Sequence, residues 1–220
     1  MNLAQALLEL PRPVAQSVYA FVLLPAQDLH PEQTGLPEGW PDLSSRARSL
    51  ILAPEQDTRW TSQLDWRQLP QRLCMLPQQV LEHVSWHVGL ALHSVALRQV
   101  VLRTQLEQLA QQGMGEADWS FVHSLPTRGT QPRPAPDVAP AVTSLQRSGW
   151  QGLGQLAQQL PQALMQRLGW KMPPWVLQAQ NSVLEPLALQ EALTFAYPHV
   201  VNAWNPEWDN SLMAQATKGT

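Results

Sequence analysis

Twenty prolines in 220 residues keep most regular elements of this chain short, because a proline inside a helix removes a hydrogen bond and clashes with the turn before it. One stretch escapes that limit. Val80 to Gln112, VLEHVSWHVGLALHSVALRQVVLRTQLEQLAQQ, lies in the longest proline-free run and holds a single glycine, Gly89. Val84, Val88, Ala91, Val95, Leu102, Leu106 and Leu109 recur at spacings of three, four or seven, which is one face of a helix. Trp86, Leu90, Leu97 and Val101 form a second apolar line on another flank. A helix apolar over so much of its circumference sits inside its domain, so Leu92 and Val95 are expected in the core. Ser85, Gly89 and Ala96 make a line of small residues along which one neighbour can approach closely. Pro77 suits the entry to the helix and Gly113 the C′ position at its exit. Thr104-Gln105-Leu106-Glu107 also reads as a capping box. The stretch is therefore either one helix of about 50 Å or two helices meeting near Leu102.

The polar residues on this stretch are as informative. Arg98 lies beside the first apolar line, where a charge must snorkel or find a carboxylate or carbonyl partner. It is expected to tie a neighbouring element to the helix. His83 and His87 stand at i and i+4, a metal-ligand spacing. No Glu lies between them in the HExxH arrangement and no third ligand is evident, so two half-buried histidines are expected and no metal.

Hydrophobic residues make up 44% and charged residues 14% of the chain, with a net charge of −3. That composition builds a core, and it argues against a nucleic-acid platform, as does the absence of any Lys/Arg cluster. The only lysines are Lys171 and Lys218. Ten tryptophans point to some at contact surfaces, since Trp serves cores and interface anchors alike. The single cysteine, Cys74, lies between Leu73 and Met75, a setting that leaves a thiol inert. The N-terminus lacks the basic and apolar regions of a signal peptide. No window reaches the ~18 apolar residues of a membrane span. A soluble, cytoplasmic protein without membrane insertion is expected.

Along the chain, helices alternate with proline-rich breaks. Leu3–Leu10 reads as a short helix and Val14–Leu24 as a strand or a buried helix. Pro25–Pro41 reads as a loop, and Asp42 or Ser44 can cap a helix through Leu52. Thr61–Leu69 reads as a short helix and Glu116–Leu125 as one or two turns. Pro126–Pro140, PTRGTQPRPAPDVAP, is an extended connector. Beyond it come Ala141–Arg147, Leu153–Leu168 broken at Pro161, and Val176–Tyr197 interrupted at Pro186. The fold expected is mainly α, a single helical domain over 1–208 with a flexible tail over 209–220.

Catalytic motifs fail on inspection. Gly152-Leu153-Gly154-Gln155-Leu156-Ala157 fits G-x-G-x-x-A, but no buried strand precedes it and no acid follows at the ribose-binding distance. The glycines read instead as a closely packed helix entry. No P-loop, nucleophile elbow or paired carboxylate set occurs. No enzyme activity and no cofactor are expected. The competing class is a helical enzyme whose site is assembled from distant residues.

Gly89-Leu90-Ala91-Leu92-His93, then Leu97-Arg98, Leu102 and Leu106 to Leu109, resembles the SctK (YscK) family of bacterial type III secretion. Phe21 to Ala26 with Leu29-His30 looks like that family's N-terminal region, and the Pro-rich connector followed by Arg147-Ser148-Gly149 is similar too. The resemblance spans most of the chain through loose motifs in the same order. It implies a helical, cytosolic adaptor of the injectisome sorting platform, at the cytoplasmic face of the inner membrane. Such a protein links the pod protein SctQ to the cytoplasmic domain of the ring protein SctD, and through the platform reaches the export ATPase and its stator. Arg133, Trp204 and Trp208 are the candidate partner-binding residues.

Overall fold

The computed structural model describes residues 7–8, 10–33, 36–52, 64–126, 140–178 and 184–218. The chain is mainly α-helical, with no strand among the described residues. In chain order the helices are α1 (Arg12–Leu23), α2 (Ser45–Leu52), α3 (Leu69–Met75), α4 (Gln78–Leu92), α5 (Ser94–Arg98), α6 (Arg103–Gln111), α7 (Glu116–Ser124), α8 (Val142–Ala157), α9 (Gln162–Trp170), α10 (Trp175–Gln178), α11 (Pro186–Trp204) and α12 (Trp208–Lys218). They gather into two compact units. Unit 1 comprises Met1–Leu81, Gly154–Gln180 and Asn202–Thr220, and unit 2 comprises Glu82–Leu153 and Asn181–Val201.

In unit 1, the stretch that periodicity leaves open between strand and helix is the helix α1. Its prolines, Pro11 and Pro13, sit at the N-terminal end, where a missing N–H is tolerated. Val14, Val18, Phe21 and Val22 are its buried stripe. The described residues of Pro25–Pro41 form a loop, but it contains a 3₁₀ turn at Pro25–Asp28, and a second, Trp40–Asp42, starts near its end with Trp40 buried. Ser44, not Asp42, caps α2: its Oγ accepts the Ala47 N–H at 3.2 Å. The helix expected over Thr61–Leu69 is not found in its described part. Residues 64–68 form a turn, and the helix is α3, with Pro70 in its first turn. Pro161 separates α8 from α9 as expected. The final stretch, expected to fray from 209, is helical through Lys218. The helix expected over Leu3–Leu10 and the connector Pro126–Pro140 fall largely outside the described residues.

Unit 2 corrects the long central helix. Val80–Gln112 is three helical pieces, α4, α5 and α6, with breaks at His93 and across 99–102. The second break falls where the sequence predicts a joint. Its cap is Leu102, however, with no side-chain hydrogen bond, so the Thr104 capping box does not form. The apolar lines drawn for one continuous helix do not hold across the second break. Val84, Val88, Leu90 and Leu97 are fully buried, while Val101 is 80% and Leu102 58% exposed. Leu92 and Val95, expected in the core, are half-buried.

Gly113 does end α6 as expected. At φ 103° it occupies the left-handed region. The Met114 N–H donates to Leu109 O and the Gly113 N–H to Ala110 O, both at 3.0 Å, the Schellman pattern. The expected break between Ala141–Arg147 and Leu153–Leu168 is absent, because α8 runs unbroken from Val142 to Ala157. Pro186 starts α11 instead of interrupting it, and Pro198 lies inside the helix.

Candidate functional site

Two of the runs that carry the resemblance, Gly89–His93 and Arg147-Ser148-Gly149, meet within unit 2. Gly89 on α4 faces Leu145 on α8 so closely that a methyl group there would lie 2.1 Å from the Leu145 carbonyl oxygen. Gly149 on α8 returns the contact: its methyl would lie 1.9 Å from the Ser85 carbonyl oxygen. Two helices therefore touch backbone to backbone over an i, i+4 pair on each, which is possible only where side chains are missing or minimal. The small-residue line Ser85–Gly89 serves the purpose its spacing predicts. Gly152 and Gly154 are interior residues of α8, not a helix entry, but they do pack closely. Gly152 meets Leu189 within unit 2, and Gly154 meets Val176 within unit 1.

Polar contacts fix this crossing. His93 Nε2 lies 2.9 Å from Ser148 Oγ, joining GLALH to RSG across 55 residues of sequence. Burial holds the His93 pKa below the ordinary histidine value. Arg98 donates to two carbonyls at the end of α7, to Val122 O from Nε at 3.0 Å and Nη2 at 2.6 Å, and to Leu125 O. The expected tie to a neighbouring element is thus made by carbonyls. A cation there also meets the negative end of the helix dipole. At the other end of α7, Asp118 Oδ2 accepts the Gly115 N–H and its Oδ1 accepts Trp86 Nε1–H, each at 2.7 Å. One carboxylate thereby caps α7 and binds it to α4.

Unit 1 has a centre of its own, which no motif in the sequence marks. Lys171 is 1% exposed. Its Nζ donates to Leu76 O at 2.7 Å and Cys74 O at 3.0 Å and pairs with Asp28 Oδ2 at 3.0 Å. Three acceptors match the three N–H bonds of an ammonium; a neutral amine has only two. Burial pulls the Lys171 pKa below its ordinary value and Asp28 draws it back up. Arg167, also buried, donates to Phe21 O at 2.7 Å and Val22 O at 2.9 Å in the last turn of α1. Lys171 Nζ stands 4.9 Å and Arg167 Cζ 5.9 Å from the centroid of the Phe21 ring. The only available signal was rarity: one of two lysines in the chain, set between Trp170 and Met172. Cys74 is buried as expected, and burial pushes its thiol up to about 12.

Each unit also offers an open apolar groove of about 500 Å³. In unit 2 it is lined by Leu97, Val100, Leu106, Ala110 and Trp119, with Glu107 and His123 at hand. In unit 1 it is lined by Leu7, Ala15, Tyr19 and Ala20, with Arg12, Gln16 and Gln27.

The candidate partner-binding residues divide. Arg133 lies outside the described residues. Trp204 is half-buried, its ring 5.0 Å from that of Trp208. Trp208 is 0% exposed, so it is a packing residue with no surface to offer a partner. Among the described tryptophans, Trp40, Trp66, Trp150 and Trp208 are buried, while Trp86, Trp119, Trp170, Trp175 and Trp204 are half-buried, Trp119 in the wall of the unit 2 groove. His83 is exposed and His87 half-buried. Among the described residues no group of three or more His, Cys, Asp or Glu could hold a metal ion, and no helix is long and apolar enough to cross a membrane. No family model, no curated protein and no solved structure matches the chain significantly.

Proposed function

We propose that this chain is a non-enzymatic adaptor of the SctK kind. In that role it links an SctQ-like pod protein to the cytoplasmic domain of an SctD-like inner-membrane ring protein in a type III secretion sorting platform. The observation that carries the proposal is the meeting of the two resembling runs. Gly89 and His93 of the first pack on Leu145 and Ser148 at the second, which gives their residue types a shared physical reason. Two apolar grooves, one in each unit, support the two-partner reading. An adaptor needs two contact surfaces and no chemistry of its own, so no catalytic residue and no cofactor is assigned. The export ATPase and its stator are reached indirectly, through the pod protein.

The test is co-purification with the pod and ring proteins of the same organism. Leu106, exposed in the unit 2 groove, and Tyr19, exposed in the unit 1 groove, are the positions to charge. Folded Leu106→Asp protein is expected to lose one partner and keep the other, and folded Tyr19→Asp protein to do the reverse. Failure of folded wild-type protein to bind either partner, alone or in extract, defeats the assignment.

A further inference from the structure

Three rings from three helices meet in unit 2. His87 of α4 contacts Phe121 of α7 edge-on, with centroids 4.8 Å apart, and His199 of α11 with centroids 5.0 Å apart. Phe121 and His199 close the triangle at 4.7 Å. His87 Nδ1 lies 2.9 Å from His83 O. A carbonyl can only accept, so Nδ1 carries the hydrogen and Nε2 is the atom that takes up a further proton. Nothing among the described residues accepts a hydrogen bond from Nε2. The charged and titratable groups that face His87 are His199 on α11, Asp118 on α7 and His83 on its own helix. Asp118 already accepts from Trp86 and from the Gly115 N–H, so it offers attraction at a distance but no direct pair.

The same place is mechanically weak. Pro198 precedes His199 inside α11 and has no N–H to give the Thr194 carbonyl one turn back. The helix is thus held at its ring contact just where its own ladder is interrupted. Beside the joint, α11 buries Leu193, Ala196, Tyr197 and Val200.

We propose that the His87–Phe121–His199 cluster is an acid-released joint: protonation of its imidazoles frees α11 from α4 and α7 at the Pro198 hinge and uncovers an apolar helix face. Two effects drive the release. A proton on the half-buried His87 puts a cation into a partly desolvated ring contact, and a second proton, on the exposed His199, puts two like charges against each other. Burial, the largest influence on His87, holds its affinity for protons below that of a free histidine, as expected of a group whose charged form does not suit the packed state.

The experiment is hydrogen exchange of the full chain at pH 7.5 and 5.5, corrected for the intrinsic pH dependence of exchange. The α11 amides up to Val201 are expected to exchange at least about threefold faster at pH 5.5 than at pH 7.5, while α1 and α9 change little. His87→Phe/His199→Phe protein, which keeps ring bulk without titration, is expected to lose that acid response. His93→Gln protein is expected to keep it. A uniform response across all helices, a wild-type response in the double variant, or its loss in His93→Gln protein overturns the proposal. If the double variant does not fold, imidazole NMR titration of the wild type decides. Titration of His87 and His199 in step with α11 exposure supports the joint, and their titration without exposure overturns it.

Discussion

In unit 1 an ammonium and a guanidinium fasten the ends of helices: Lys171 takes the carbonyls of Cys74 and Leu76 at the end of α3, and Arg167 those of Phe21 and Val22 at the end of α1. In unit 2 the main fastening is the crossing of α4 and α8, where backbones touch at Gly89 and Gly149, steadied by His93 and by Arg98. A chain with so few charges thus uses its buried cations as helix caps, supplying donors to carbonyls that a helix end leaves unpaired. The two devices fail differently. A buried cation is intolerant of losing its partner, whereas a close crossing is intolerant of gaining an atom.

The most damaging single change should therefore be Lys171→Met. It leaves the Asp28 carboxylate and two carbonyls without their donor, and removing one member of a buried pair costs about 3–5 kcal/mol. Urea unfolding measures the loss, and Lys171→Met/Asp28→Asn protein is expected to recover part of it. Cys74, buried beside this centre, adds a local readout: a thiol reagent should label it faster in Lys171→Met protein. A variant as stable as wild type would mean that the ammonium holds nothing.

Next comes Gly89→Ala, or equally Gly149→Ala. A methyl about 2 Å from a carbonyl oxygen forces the helices apart, with an expected cost of about 3 kcal/mol, the upper part of the overpacking range. Cys74 labelling at a matched loss of stability should rise less than in Lys171→Met protein. Equal labelling would erase the contrast between the two units.

Arg98→Ala sharpens the contrast from inside unit 2. Its carbonyl partners end α7, where water can replace part of the lost bonding, so about 1–3 kcal/mol is expected from the urea midpoint. Protection of the α7 amides should fall with it.

Acid gives the smallest effect. Burial lowers the pKa of His87 and His93 in the folded chain. The unfolded chain then binds more protons once the pH falls below about 6.5, the ordinary histidine value. Stability contributed by these neutral imidazoles is full above that pH and declines as the pH falls towards their folded values. A urea midpoint independent of pH between 7.5 and 5 would contradict this, and His93→Gln should flatten part of the slope.

Sequence by itself determined what depends on near neighbours along the chain. Helical periodicity marked α4, Gly113 marked the end of α6, and Ser44 was one of two residues named to cap α2. The apolar flanks of Cys74 foretold its burial, and the small-residue spacing of Ser85 and Gly89 foretold a close neighbour. All of these arise from propensities and dihedral limits that act within a few residues. Only the tertiary structure decided the rest. It broke the central run at His93 and turned Val101 and Leu102 outward, because a periodic pattern cannot record where a helix stops to follow its neighbours. Trp208 went to the interior, and Arg98 found the carbonyls of α7. Lys171 met carbonyls 95 and 97 residues away in the sequence. The choice among many distant carbonyls is made by which helix ends packing brings within about 3 Å of a cation, and no local pattern of residues carries that distance.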